Sequence, residues 1–190
     1  MEDKKLKIWT WIVNIVLVIL DISVIIYRVV NKNFERIMVP VLFCFTMLIP
    51  YVLNRTKFRI GYKYKLSYSA FLFLSYFLGS VINLYDKFAW YDLFIHFLSG
   101  IFTLVMAYYV LNKTKYKNMN GIIKFIYCIG LVALVAVLWE IIEFTADNLF
   151  GMNTQHNIEV GVVDTMTDMI MGLLGGLFGY FTLPGKKFKD

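Results

Sequence analysis

Three pairs of ionisable residues sit at helical spacing within apolar stretches of the chain: Asp92 with His96, Glu140 with Glu143, and Asp164 with Asp168. Separations of three and four residues put each pair on one face of an α-helix. Carboxylates and an imidazole projecting from neighbouring helices form the donor set of a divalent-metal centre. An oxygen-rich set with one nitrogen suits zinc, manganese or iron better than calcium or magnesium. All six residues are candidate ligands. Glu143 and Asp168 are also the candidate catalytic groups, because a carboxylate beside a metal-bound water can take its proton.

Such a cluster is costly unless something offsets it. A charge at mid-span costs about 2.5–3.5 kcal/mol even on lenient insertion scales, and short Asp and Glu side chains snorkel poorly. Two ionised carboxylates about 6 Å apart repel by roughly 3 kcal/mol at an effective dielectric of 20. No Lys or Arg lies in the nearby helix halves to neutralise them. A bound cation is the simplest answer, and proton sharing between carboxylates is the competing one.

The elements that carry these residues are membrane helices. Of the 190 residues, 59% are hydrophobic and only 17% charged, which excludes an ordinary soluble domain. A helix needs roughly 17–25 apolar residues to cross about 30 Å of hydrocarbon. Six such runs occur, at 8–30, 37–53, 66–85, 90–111, 121–146 and 161–183. The expected fold is therefore all-α: a polytopic transmembrane helical bundle forming a single domain over 1–190. The first run, preceded by Lys4, Lys5 and Lys7, is too long for a signal peptide and shows no small-x-small cleavage site.

Basic residues fix the expected orientation, since positively charged loops stay in the cytoplasm. Three lie in the amino-terminal tail, five between Arg55 and Lys65, four between Lys113 and Lys124, and three in the tail at Lys186, Lys187 and Lys189. Only Arg28, Lys32, Arg36 and Lys87 of the 19 fall on the other side. Six spans with both termini cytoplasmic satisfy this pattern, in the inner membrane of a bacterium. The net charge of +6 then reflects topology and contact with anionic lipid heads rather than nucleic acid. On that topology the three pairs share one depth in the outer leaflet.

Asp86, Asp147 and Glu159 read as ordinary interfacial charges, and the 147–160 connection as a cap over the site. His156 within it is a candidate further ligand or general acid/base, although a lone loop histidine is more often a bystander. Asp21 and Asn83 are candidate partners behind the ligands. Gly172, Gly175, Gly176 and Gly179 form overlapping small-xxx-small pairs that let a neighbouring helix approach closely, and Gly100 continues the Asp92 and His96 stripe. Cys44 and Cys128 lie inside spans and read as apolar packing residues.

The segments Tyr91-Asp92-Leu93-Phe94-Ile95-His96, Trp139-Glu140-Ile141-Ile142-Glu143 and Val163-Asp164-Thr165-Met166-Thr167-Asp168 resemble the signatures of YjdF-type bacterial inner-membrane proteins. The resemblance covers roughly 85–179. The loop run Asn153-Thr154-Gln155-His156 departs from the family's Gly-Thr-Gln-Gly-Asp type of run. A fainter similarity is to VanZ-like membrane proteins, which also place an Asp and a His four apart in one span.

Three functions are consistent with these residues. The first is a metal-dependent hydrolase acting on a lipid headgroup or lipid-linked envelope component. A phosphoester substrate would ordinarily want a basic clamp, for which only Arg36 and Lys87 are at hand. The second is a transporter or channel for protons or cations, against which stand the inner stretches 97–111 and 169–185, whose only ionisable residues are tyrosines. The third is a structural membrane protein whose metal locks three spans together.

Overall fold

The computed structural model describes residues 2–32, 37–55, 59–151, 154 and 161–183. Among these the chain is helical, with no strand. In order the helices are α1 (Glu2–Val30), α2 (Met38–Leu53), α3 (Tyr62–Leu72), a π-helical segment (Phe73–Val81), α4 (Leu84–Lys87), α5 (Ala89–Asn112), α6 (Gly121–Phe150) and α7 (Gly161–Thr182). Among the described residues, four helical stretches are long and apolar enough to cross a membrane: Lys4–Val30, Ala89–Asn112, Gly121–Leu149 and Gly161–Thr182. The second expected span is a shorter apolar helix, Val39–Leu53. The third is divided, its α-helix widening after Leu72 into the π-helical segment, where Ile82 N–H reaches back five residues to Phe77 O.

Chain contacts define two compact units, Met1–Leu84 and Tyr85–Asp190. In the first, α1 buries the face carrying Thr10, Asn14, Leu17 and Asp21, four positions at three- and four-residue intervals. Apolar packing of Leu17, Phe43, Met47, Leu72 and Tyr76 fills the middle. Polar contacts lie on either side of it. Asn14 donates to the Tyr51 hydroxyl and accepts from Ser69 Oγ at 2.5 Å. Asp21, 1% exposed, accepts from the Tyr76 hydroxyl at 2.5 Å and from Cys44 Sγ at 2.8 Å.

Three expectations change here. Asp21, expected as a partner behind the metal ligands, has both carboxylate oxygens engaged inside its own unit. Cys44 is more than an apolar packing residue, because its thiol ties α2 to α1. Lys65, expected in the connecting loop, lies within α3 and is buried, its Nζ 4.6 Å from the Tyr51 ring centroid and 4.9 Å from that of Tyr62. Two aromatic faces offset part of the cost of burying that ammonium. Asn83 takes a left-handed φ of 66° in the turn after the π-helical segment, where a short amide side chain is among the tolerated residues.

The second unit packs α5, α6 and α7 against one another. Asn120 opens α6 by accepting the Ile122 N–H at 2.8 Å. Gly151 closes it at φ 62°, its N–H returning to Asp147 O at 3.0 Å. Glycines set the interhelix spacing. A methyl on Gly175 would lie 1.9 Å from Phe97 O, and one on Gly100 would lie 1.9 Å from Gly172 O. Only hydrogen fits there, so the α5 and α7 backbones come nearly into contact. On the α6 side, Val132 meets Gly176 and Ala136 meets Gly172, so four residues forward along α6 match four back along α7. One more step brings Glu140 level with Asp168. Below that level Leu104, Ala107, Tyr108, Cys128 and Val132 form a buried apolar layer.

Gly100→Ala and Gly175→Ala are each expected to destabilise the protein by about 1–3 kcal/mol, because the helices must move apart. In detergent the melting temperature should fall by roughly 3–10 °C. Gly130→Ala is the control: nothing lies within 4 Å of its added methyl, and mid-helix alanine is favoured over glycine. Equal melting of all three variants would sink the close-contact account.

Candidate metal centre

The register above brings three of the other five proposed ligands, Asp92, Glu140 and Asp168, around the His96 imidazole. His96 is 6% exposed and turns its two ring nitrogens toward different carboxylates. Nε2 lies 3.5 Å from Asp92 Oδ1, one turn earlier on α5, and 3.8 Å from Asp168 Oδ2 on α7. Nδ1 lies 3.9 Å from Glu140 Oε1 on α6. The two contacts between helices are too long for hydrogen bonds. They are close to the spacing of two ligands across a zinc-sized ion, about 3.3–3.5 Å for bonds of about 2.0–2.1 Å at tetrahedral angles.

Two sets of residues each bring ligand atoms within 4.8 Å of one another: Asp92, His96 and Asp168, and His96, Glu140 and Glu143. Asp168 is 1% exposed and Glu140 5%, and neither oxygen of either carboxylate has a hydrogen-bond partner. Buried carboxylates are ordinarily paired, hydrogen-bonded or bound to a metal, since leaving one without a partner costs several kcal/mol. Two buried carboxylates aimed at one imidazole fit a cation. Lys124, the sole Lys or Arg of α5 to α7, stands at the opposite end of α6 from Glu140.

The remaining proposed ligands are placed differently. Glu143 is half-buried, and its Oε1 accepts a hydrogen bond of 2.7 Å from the indole of Trp139, one turn earlier. Asp164 is half-buried one turn before Asp168 and belongs to neither ligand set. Asp147, expected as a solvated interfacial charge, anchors the connection after α6. Its Oδ1 accepts from Thr154 N at 2.7 Å and Thr154 Oγ1 at 2.5 Å, while Thr154 Oγ1 also lies 3.2 Å from Glu143 O. The chain thus folds back along the last two turns of α6, next to the cluster. His156 and Glu159 lie outside the described residues. Little in the sequence marks the Thr154 anchor; Gly151, the turn before it, is its one local signal.

The fold and this cluster define a helical membrane protein with an acidic and histidine-containing centre. The chain belongs to the family described as predicted membrane protein (DUF2238), which it matches over residues 10–184. It is also similar to an uncharacterized protein of Thermotoga maritima, with 32% identity over 129 residues, or 66% of this chain. That match spans 65% of the relative's length. No solved structure matches the chain.

If the orphaned carboxylates repel in the metal-free protein, Asp168→Asn and Glu140→Gln should each raise the melting temperature in excess chelator. Added zinc or manganese should reverse the order, because an ion at 100 times its dissociation constant stabilises the wild type by about 2.7 kcal/mol. Melting curves unaffected by either ion would count against a metal at this cluster.

Proposed function

We propose that the protein is a metal-dependent membrane hydrolase, acting on a lipid or lipid-linked substrate at the outer leaflet of a bacterial inner membrane. The observation that carries this reading is the pair of fully buried, unpartnered carboxylates of Asp168 and Glu140 facing the two nitrogens of His96. A divalent ion, zinc, manganese or iron, would complete that set and lower the pKa of a bound water toward about 7. Asp168, enclosed at 1% exposure, suits a ligand. Glu143, less buried and oriented by Trp139, suits the proton acceptor. The resemblance to YjdF-type proteins rests on the same residues.

Six crossings with both termini on the basic, cytoplasmic side accommodate this reading. The α3 helix and the π-helical segment together run from Tyr62 to Val81, long enough for a crossing, and the short α2 would cross a thinned or locally perturbed bilayer. A lipid substrate is supported by the apolar surface beside the site: Trp139, Ile142 and Phe144 on α6 and Val163 and Met166 on α7 are all exposed. With no basic clamp on α5 to α7 near the cluster, a carboxylic ester or amide fits better than a phosphoester. Transport is the weaker reading, because the buried layer of Leu104, Ala107, Tyr108, Cys128 and Val132 closes the path below the cluster.

Protein purified in mild detergent should carry at least one zinc, manganese or iron per chain by mass spectrometry, lost in His96→Ala and diminished in Glu140→Gln. The loaded protein should then release fatty acid or headgroup from mixed bacterial lipid vesicles, and Glu143→Gln should abolish release while keeping the metal. A folded wild type that is metal-free and takes up none of the three ions would refute the metal centre and favour proton-sharing carboxylates.

A further inference from the structure

Resting on the metal reading above, we infer that the centre holds two divalent ions, one on each side of the His96 ring, with the imidazole bridging them. The two ligand sets share only His96. Its nitrogens point opposite ways: Nε2 toward Asp92 and Asp168, Nδ1 toward Glu140. The two sides are alike in spacing, at 3.5–3.8 Å for the first and 3.9 Å for the second. Each side has its own unpartnered and nearly inaccessible carboxylate, Asp168 for one and Glu140 for the other.

A single ion on Nε2 leaves the second carboxylate unexplained. In the usual carboxylate–histidine–metal arrangement the far nitrogen donates a hydrogen bond to a carboxylate. Here Nδ1 and Glu140 Oε1 are 3.9 Å apart, beyond hydrogen-bond reach, and both Glu140 oxygens lack a donor. The separation suits an ion between them instead. Charge balance points the same way. Asp92, Asp168, Glu140 and Glu143 supply four negative charges in a cluster whose three helices bring no Lys or Arg near it. With the bridging imidazolate adding a fifth, two divalent cations offset four of five charges, whereas one ion on neutral His96 offsets two of four.

Bridging requires both nitrogen lone pairs. The first ion binds neutral His96 through Nε2, with Asp92 and Asp168. The second takes the Nδ1 lone pair as the N–H proton leaves to water, with Glu140 as a further ligand. Glu143, in the same ligand set, reaches that ion directly or through its bound water. One ion would activate a bound water while the other, across the ring, would polarise a substrate carbonyl.

Copper(II) is the probe, because two copper ions joined through one imidazolate couple magnetically. Detergent-purified, chelator-stripped wild type titrated with Cu2+ should bind two ions per chain by mass spectrometry. Its paramagnetic resonance signal should grow to one equivalent, then lose intensity toward the second as the spins pair. Asp168→Asn and Glu140→Gln should each retain one uncoupled ion. Saturation at one ion, with full signal throughout, would overturn the bridged pair and leave the single-ion centre standing. Two ions with undiminished signal would also overturn the bridge. No binding of copper, zinc or manganese by folded wild type would instead remove the metal centre itself.

Discussion

Backbone contact between α5 and α7 governs everything else in the second unit. Gly100 and Gly175 leave no room for a methyl against the facing carbonyls, so the two helices lie as close as helices can. That spacing decides which side chains share a level. His96, four residues before Gly100, and Asp168, four before Gly172, emerge one turn away from the tightest contact. They therefore face each other across less than 4 Å rather than across a normal interhelix gap. A larger residue at the seam would move His96 and Asp168 apart before touching either of them.

The third wall comes from α6, which runs antiparallel to both. Its four-residue register against α7 carries Glu140 to the level of Asp168 and leaves Glu143 one turn further out, where Trp139 orients it. Tight glycine packing continues below the cluster into the apolar layer around Leu104 and Val132. A buried apolar layer thus lies directly below the buried His96, Glu140 and Asp168. The Gly151 turn and the Asp147 to Thr154 contacts bring the outgoing chain back beside Glu143.

The first unit uses a different device. Its buried polar groups are satisfied locally: Asp21 by a phenol and a thiol, Asn14 by a phenol and a serine, and Lys65 by two aromatic faces. These contacts tie α1, α2, α3 and the π-helical segment together. Asp21 and Asp168 are equally buried, yet only Asp21 has donors. That contrast sets Asp168 and Glu140 apart from the ordinary helix ties of the first unit.

Helix type, the membrane setting and the pairs Asp92 with His96 and Glu140 with Glu143 were legible in the sequence, because hydrophobic runs and three- or four-residue spacing are local properties. The polar stripe of Thr10, Asn14 and Asp21 was legible in the same way, although its partners were not. Which ring nitrogen faces which carboxylate, the exclusion of Asp164 from both ligand sets, the burial of Lys65 and the engagement of Asp147 by Thr154 belong to the tertiary structure. Each depends on the register and separation of helices distant in sequence. Spacing along one helix fixes a face, but only packing between backbones fixes how far that face stands from its neighbour.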